Sequence, residues 1–137
     1  MEPIDPHPPE VLDILKRKDP GTRIAVAGAS NNREKYGNII VRNLRGKGYT
    51  VVPLNPREGT VEGLAAFKSV RDLDVPVDLL VLVTPPPATL AILKDAAARG
   101  VRAVWLQEGS FDDAVLDFAR GAPFKTVYDA CVMVASN

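Results

Sequence analysis

Hydrogen-bond donors and cations are concentrated in one short stretch of this sequence, directly after Gly28. The stretch holds one hydroxyl, two amides and two basic side chains, at Ser30, Asn31, Asn32, Arg33 and Lys35. Such groups suit an anion, for example a phosphate. The apolar run 24–27 predicts a buried strand before Gly28, and the apolar spacing over 38–44 predicts a helix after the loop. Together they indicate a phosphate-binding βα unit, with a plain βα turn as the alternative.

The common phosphate-binding fingerprints do not fit this loop. A G-x-G-x-x-G pattern beginning at Gly28 would need glycine where Ser30 and Arg33 stand. No G-x-x-x-x-G-K-[ST] sequence occurs either, which excludes the phosphate loop of an ATPase. Any anion site here must therefore follow a different pattern.

The end of the predicted second strand, 49–54, carries another basic group. A domain that binds NAD usually places Asp or Glu there, to accept hydrogen bonds from a ribose. In this chain Asn55 and Arg57 occupy the region, and the first acid, Glu58, comes after Pro56. An arginine here suits a ribose that carries a phosphate, whereas Asn-Pro is also a common turn initiator. Both interpretations stay open on these residues.

The sequence offers no evident catalytic set. It has one histidine, His7, and one cysteine, Cys131, so a Ser-His-Asp arrangement, an internal disulfide and a typical zinc site are not expected. Asp112 and Asp113 are interpreted as helix-start residues. Cys131 lies in an apolar run and is expected to be buried and inert. The alternative is a reactive thiol, because the strand before Cys131 should end at the same edge of the sheet as Thr84 and Gln107. The sequence thus favours a binding module over an enzyme, with no catalytic residue and no metal site.

Composition narrows the class of protein further. The 137 residues include 17 basic and 17 acidic side chains, so the basic excess expected of a nucleic-acid-binding protein is absent. No apolar run approaches the ~20 residues of a membrane span. The N-terminus also lacks the pattern of a signal peptide. We therefore expect a cytoplasmic protein of one domain, 1–137, in which 1–22 form an N-terminal arm and helix.

The rest of the chain alternates between predicted strands and helices. Strands are predicted over 49–54, 60–63, 77–83, 102–107 and 124–128, and helices over 10–18, 87–99 and 110–119, with one helical turn at 69–72. S-x-x-D patterns at Ser69 and Ser110 predict capping boxes. The order predicts a single doubly wound, Rossmann-like α/β domain with a mostly parallel central sheet flanked by helices.

Two of these strands end in residues that could face a ligand. Thr84, Pro85 and Pro86 follow strand 77–83 and are predicted to be extended, with a helix beginning at Pro87. They form a stiff apolar wall where open α/β sheets bind ligands, or else they only mark the start of a helix. The polar run Gln107-Glu108-Gly109 follows strand 102–107.

A family resemblance is carried by short segments that run in the same order over nearly the whole chain. These are Val26-Ala-Gly-Ala-Ser30 with Lys35-Tyr-Gly37, Val52-Pro-Leu-Asn-Pro56, Ser69-Val-Arg-Asp-Leu73, Thr84-Pro-Pro86, Trp105-Leu-Gln-Glu-Gly109 and Asp129-Ala-Cys-Val-Met133. In them the chain resembles the small stand-alone coenzyme A-binding proteins, relatives of the coenzyme A-binding domain of the succinyl-CoA synthetase alpha subunit.

The resemblance implies a role for each segment. The loop residues Gly28 to Arg33, including Ala29, and Lys35 would hold phosphates of coenzyme A. Asn55, Pro56 and Arg57 would lie near its nucleotide end, Thr84, Pro85 and Pro86 would line its adenine side, and Gln107, Glu108 and Gly109 would face the remaining cleft.

The chain also departs from that family. Arginine is common there at the positions of Thr84 and Ala130, so a role that uses those charges is in doubt. The synthetase's phosphorylated histidine belongs to a domain that this sequence does not contain, so ligase chemistry is not expected. The resemblance implies a module that binds coenzyme A or an acyl-CoA without catalysis, or in a regulatory role. Two alternatives stay open: an NAD(P)-linked oxidoreductase-type domain, and a protein-interaction module with a vestigial nucleotide cleft.

Overall fold

A computed structural model of the chain describes residues 7–137, and the first six residues of the predicted arm lie outside it. Its elements, in chain order, are α1 (Pro9–Lys16), β1 (Arg23–Ala27), α2 (Tyr36–Gly46), β2 (Thr50–Leu54), β3 (Thr60–Val61), β4 (Leu64–Ala65), a 3-10 helix (Val70–Asp72), β5 (Leu79–Leu82), α3 (Pro86–Arg99), β6 (Ala103–Leu106), α4 (Asp113–Arg120), β7 (Lys125–Tyr128) and α5 (Val132–Ala135).

Five of the strands form one parallel sheet in the order β2-β1-β5-β6-β7. Numbered along the chain, the sheet strands are arranged 2-1-3-4-5. The chain adds β2 on one side of β1 and then β5, β6 and β7 on the other side, so the strand order reverses between β1 and β5. This is a doubly wound order, and ligands in such sheets bind at the carboxyl edge beside the reversal. The predicted α/β fold class is confirmed.

Alternating side chains of the sheet build a core on each face. Ile24 and Val26 of β1 pack under α1, α2 and α5, whereas Ala25 and Ala27 pack under α3 and α4. Trp105 of β6 is fully buried on the first face. Because both faces are covered, the strands read as continuous apolar runs rather than as an alternating pattern.

The segment between β2 and β5 differs from the prediction. The predicted strand 60–63 shortens to β3, which pairs antiparallel with β4 in a separate hairpin instead of joining the sheet. After this hairpin the chain returns to the end of β2, where Phe67 N donates to Pro53 O at 3.0 Å and Asn55 N donates to Phe67 O at 2.9 Å. The hairpin therefore stands beside the carboxyl edge of the sheet.

Both predicted capping boxes are wrong. The hydroxyl of Ser69 bonds the carboxylate of Asp72 at 3.0 Å and caps no backbone N–H. Helix α4 is capped by Asp112, whose carboxylate accepts from Val115 N at 3.0 Å. The hydroxyl of Ser110 donates instead to Gln107 O at 2.6 Å. In each case the serine hydroxyl donates to an oxygen and accepts from no helix N–H.

The start of α3 also differs from the prediction by one residue. Pro86, predicted to be extended, is the first helical residue, and Pro85 is the extended residue before it. Proline is favoured at this first position because it has no N–H to leave unpaired. The predicted end of the helix is confirmed at Gly100, which has φ +83°.

Polar contacts of two residues between α2 and β2 attach the terminal helices, and that of Tyr49 is buried whereas those of Lys47 are part-buried. Tyr49 donates from its hydroxyl to Leu15 O in α1, and burial raises the pKa of this phenol. Lys47 donates to Met133 O at 2.6 Å and to Ser136 Oγ at 2.8 Å, which attaches α5 to the end of α2. Burial, with Lys18 adding to it, lowers the pKa of Lys47.

Residues 7–137 contain neither a membrane-spanning helix nor a cluster of metal ligands. None of the helices in this range is long and apolar enough to cross a membrane. In the same range no three His, Cys, Asp or Glu side chains are grouped so as to hold a metal ion.

Candidate functional site

The loops after β1 and β5 touch at the reversal point of the sheet. Gly28 has φ +89°, and a Cβ built on it would lie 3.0 Å from Val83 O and 3.3 Å from Thr84 Cγ2. A side chain at this position would force the two loops apart. Glycine at this position therefore joins the two predicted site segments into one continuous edge.

A second glycine brings α2 onto the same loop. A Cβ on Gly37 would lie 1.9 Å from Gly28 O, which no side chain can tolerate. In a dinucleotide fingerprint the third glycine allows this kind of helix approach. Here the role falls to Gly37, further along the chain, which is why the fingerprint could not reveal it.

The first turn of α2 has no side-chain cap. Lys35 precedes the helix in an extended conformation, and its side chain caps none of the first N–H groups. Such N–H groups carry the positive end of the helix dipole. They lie directly beside the loop that was predicted to hold phosphates.

Hydrogen bonds fix the backbone of that loop. Ser30 Oγ accepts from Asn32 N at 3.0 Å, and Ser30 O accepts from Asn38 Nδ2 at 2.8 Å. Ala29 O accepts from Asn55 Nδ2 at 2.8 Å. The two predicted segments after β1 and β2 are therefore in direct contact.

Two of the predicted anion-binding side chains have partners within the protein. Asn31 donates to Thr60 O at 2.8 Å and accepts from Glu62 N at 3.0 Å. Arg33 forms an ion pair with Glu62 at 3.3 Å. Both side chains therefore connect the loop to the β3–β4 hairpin.

The other two predicted cations are unpaired. Lys35 and Arg57 are exposed, and neither forms an ion pair or a side-chain hydrogen bond with a residue in the range 7–137. Asn55 places Arg57 by accepting from its backbone N at 2.7 Å and from Glu58 N at 2.9 Å. Asn55-Pro56 thus forms the turn that the sequence offered as one interpretation, and a phosphate contact of Arg57 stays a prediction.

A cavity of about 790 Å³ opens along the carboxyl ends of β5, β6 and β7. It is lined by five predicted site residues, Thr84, Pro85, Gln107, Glu108 and Gly109, and by seven further residues, Tyr36, Val83, Ser110, Phe111, Asp129, Ala130 and Cys131. Pro86 and the loop 28–35 do not line it. Tyr36 links the two regions, because it lines the cavity and also begins α2.

The turn after β7 forms one wall of this cavity and was not predicted from the sequence. Asp129 has φ +62°, Trp105 Nε1 donates to Ala130 O at 3.0 Å, and Gln107 Oε1 accepts from Val132 N at 2.8 Å. The polar Asp129 in an otherwise apolar tail was the available signal. Gln107 lines the cavity, and within residues 7–137 both hydrogen bonds of its side chain go to this turn.

The expected burial of Cys131 is wrong. The side chain is only partly buried, lines the cavity, and lies 3.6 Å from Gln107 Nε2. The apolar run 130–134 predicted a packed core position for Cys131, whereas the chain turns here and Val132 is the only residue of that run that is fully buried. The inertness of the thiol stays a prediction.

Charge is distributed unevenly between the two regions. The cavity is lined by two carboxylates, Glu108 and Asp129, and by no lysine or arginine. The unpaired cations Lys35 and Arg57 belong to the loops after β1 and β2. A ligand with phosphates at one end and an uncharged arm at the other matches this arrangement.

A comparison with models of known protein families identifies the family of this chain. A family model described as CoA binding domain matches residues 22–137. The chain belongs to this CoA-binding domain family. The resemblance to coenzyme A-binding proteins is thereby confirmed.

Solved structures of similar size resemble this chain in both fold and sequence. A conserved hypothetical protein from Pyrococcus furiosus is 39% identical, with a TM-score of 0.80 over 82% of this chain and 97% of its own. A hypothetical protein from Pyrococcus horikoshii is 29% identical, with a TM-score of 0.85 over 98% of this chain and 94% of its own.

Among the curated relatives is a much larger enzyme subunit. The alpha subunit of acetate–CoA ligase [ADP-forming] II from Pyrococcus furiosus is 36% identical over 91 residues, which is 66% of this chain. This chain spans only 20% of the length of that subunit. YneT of Bacillus subtilis, which is 22% identical, matches over 96% of this chain and 95% of its own length.

Proposed function

We propose that this protein binds coenzyme A or an acyl-CoA at the carboxyl edge of its sheet and acts as a non-catalytic or regulatory module. The observation that carries the proposal is the match of the CoA-binding domain family over residues 22–137. The geometry supports it, because Gly28 and Gly37 bring two loops and a helix start together at the reversal point.

In this proposal the ligand phosphates lie beside the start of α2. Its N–H groups and the unpaired cations Lys35 and Arg57 would contact them, as charge-assisted hydrogen bonds favour. Asn55 and Pro56 would lie near the nucleotide end, and Thr84, Pro85 and Pro86 near the adenine.

The cavity would take the pantetheine arm. Its lining combines apolar side chains such as Phe111 with neutral polar groups such as Ser110, and it offers no cation to a phosphate. An uncharged amide-containing arm suits such a mixed surface. Gln107, Glu108 and Gly109 would then face the arm.

An NAD(P)-linked enzyme on the same fold is the rival from another functional class. Its usual ribose-binding acid after β2 is missing, and the first acid there, Glu58, lies 3.4 Å from Asn31 Nδ2. The ligase activity in the name of the Pyrococcus furiosus relative is not proposed for this chain, which spans 20% of that subunit.

Analysis of co-purified ligand tests the proposal. Protein purified without added nucleotide is denatured, and the released material is identified by mass spectrometry. We expect the mass of coenzyme A or an acyl-CoA, and less of it from a Lys35→Ala/Arg57→Ala variant. Release of NAD(P) would contradict the proposal. If nothing is released, calorimetric titration with coenzyme A decides, and the absence of heat in that titration would also contradict it.

A further inference from the structure

Glu62 has a backbone conformation that is unfavourable for glutamate. It forms the two-residue turn of the β3–β4 hairpin with Gly63, and both residues have positive φ, +49° and +77°. Two positive φ values are typical of a type I′ turn, where Asn-Gly, Asp-Gly and Gly-Gly are preferred. A glutamate held in this region therefore points to a role for its side chain.

The side chain of Glu62 contacts the last part of the β1–α2 loop and the first turn of α2. One carboxylate oxygen pairs with Arg33 Nη1 at 3.3 Å, and the other accepts from Asn38 Nδ2 at 3.1 Å. Its side chain is only 18% exposed. The loop that runs from β1 to α2 is thus held by one carboxylate on a separate hairpin.

Backbone contacts of the same residue add to this attachment. Glu62 N donates to Asn31 Oδ1 at 3.0 Å, and Glu62 O accepts from Arg45 at 3.0 Å. Arg42 continues the network, with Nε donating to Asn38 Oδ1 at 2.7 Å and Nη2 donating to Arg33 O at 3.2 Å. Asn38, fully buried, in turn holds Ser30 O. The loop shape therefore depends on Glu62 at several points.

We propose that Glu62 is the positioning residue of the ligand loop, and that Arg33 acts through Glu62 and not on a ligand phosphate. The inference rests on the proposed function and refines it. Because Glu62 neutralises Arg33, the charge offered to the ligand comes from Lys35 and Arg57. Glu62 keeps its unfavourable turn conformation because the carboxylate orders the loop between them.

A Glu62→Asn variant separates the two roles of this position. Asn-Gly suits the turn, so the unliganded melting temperature is expected to stay within about 4 °C of the wild type. The carboxylate contacts to Arg33 and Asn38 are lost, so the dissociation constant of coenzyme A is expected to rise roughly tenfold. Asp74→Asn, which removes an exposed carboxylate from the segment before β5, is the control and should leave affinity unchanged.

A double-mutant cycle tests the role given to Arg33. Arg33→Gln should weaken coenzyme A to a similar degree as Glu62→Asn, and the double variant should be no weaker than either single variant, since the two residues act as a pair. Additive losses would mean that Arg33 contacts the ligand and would overturn the proposal. Wild-type affinity in Glu62→Asn would also overturn it. The dissociation constants of the single and double variants are measurable even if a variant is less stable.

Hydrogen exchange distinguishes failure of this inference from failure of the proposed function. Without ligand, Glu62→Asn should exchange the amides of Asn32 and Lys35 faster than the wild type, because both belong to the ordered loop. If the wild type bound no coenzyme A, the proposed function would fail, and this comparison would still decide the role of Glu62. Unchanged exchange would contradict that role.

Discussion

The basic side chains near the candidate site have two different roles at the scale of single residues. Arg33 is paired with Glu62, whereas Lys35 and Arg57 have no ion pair among residues 7–137. An unpaired cation keeps its full attraction for an incoming anion, whereas a paired one must first give up its partner. Lys35 and Arg57 are thus the better candidates for phosphate contacts.

Arg57→Ala tests this division. The variant should bind coenzyme A roughly tenfold or more weakly, as expected for the loss of one charge-assisted hydrogen bond. Its effect on the analogue that lacks the 3′-phosphate should be clearly smaller. Calorimetric titration of both ligands checks this, with Arg71→Ala as a control, since Arg71 pairs with Asp95 away from the site. Equal losses for the two ligands would show that Arg57 does not contact that phosphate.

Residue types were readable from the sequence, but their partners were not. Gly28, Asn55 and Gln107 lie at the predicted carboxyl edge, because each follows a strand that the apolar pattern identifies. The sequence could not predict that Asn31 and Arg33 bond to Glu62 of the hairpin, because Glu62 lies 31 and 29 residues further along the chain. The partial exposure of Cys131 was not predicted for a similar reason, because apolar neighbours in the sequence do not indicate that the chain turns there.

At the scale of elements, the fit of α2 against the loop after β1 decides whether the site can form. Gly37 allows the contact, whereas a Cβ added to Gly46, at the other end of α2, would meet no atom within 4 Å. Buried strands such as β1 and β5 were predicted because their apolar runs are local signals. The two-residue strands β3 and β4 are too short for any periodicity, so the hairpin could not be predicted.

Gly37→Ala and Gly46→Ala form a matched pair within that helix. Gly37→Ala should lower the free energy of unfolding by about 1–3 kcal/mol or more, because α2 must move away from Gly28 O. Gly46→Ala should leave stability unchanged or raise it by up to about 1 kcal/mol, since alanine favours the helix. Urea denaturation measures both. Equal effects would contradict the role assigned to Gly37.

At the scale of the whole molecule, the site is divided by charge. The loops after β1 and β2 supply Lys35 and Arg57, whereas the cavity at the ends of β5, β6 and β7 is lined by Glu108 and Asp129. This division gives a direction to any ligand that carries phosphates at one end. In the proposed binding mode, the two carboxylates would also set a preference for the group at the far end of the pantetheine arm.

Acyl groups of different charge test that preference. Acetyl-CoA should bind within about threefold of coenzyme A, whereas succinyl-CoA should bind about fivefold more weakly at low salt, because its carboxylate meets Glu108 and Asp129. The difference should shrink at high salt and in a Glu108→Gln/Asp129→Asn variant. Competition binding at two salt concentrations measures it. Tighter binding of succinyl-CoA would contradict the direction assigned to the ligand.

Thermal melting with coenzyme A and with NAD or NADH tests the central claim most directly. A ligand at a hundred times its dissociation constant stabilises the native state by about 2.7 kcal/mol. For a chain of this length that corresponds to a rise in melting temperature of roughly 5–10 °C. We expect this rise with coenzyme A and none with NAD or NADH. A rise with NAD or NADH and none with coenzyme A would contradict the account.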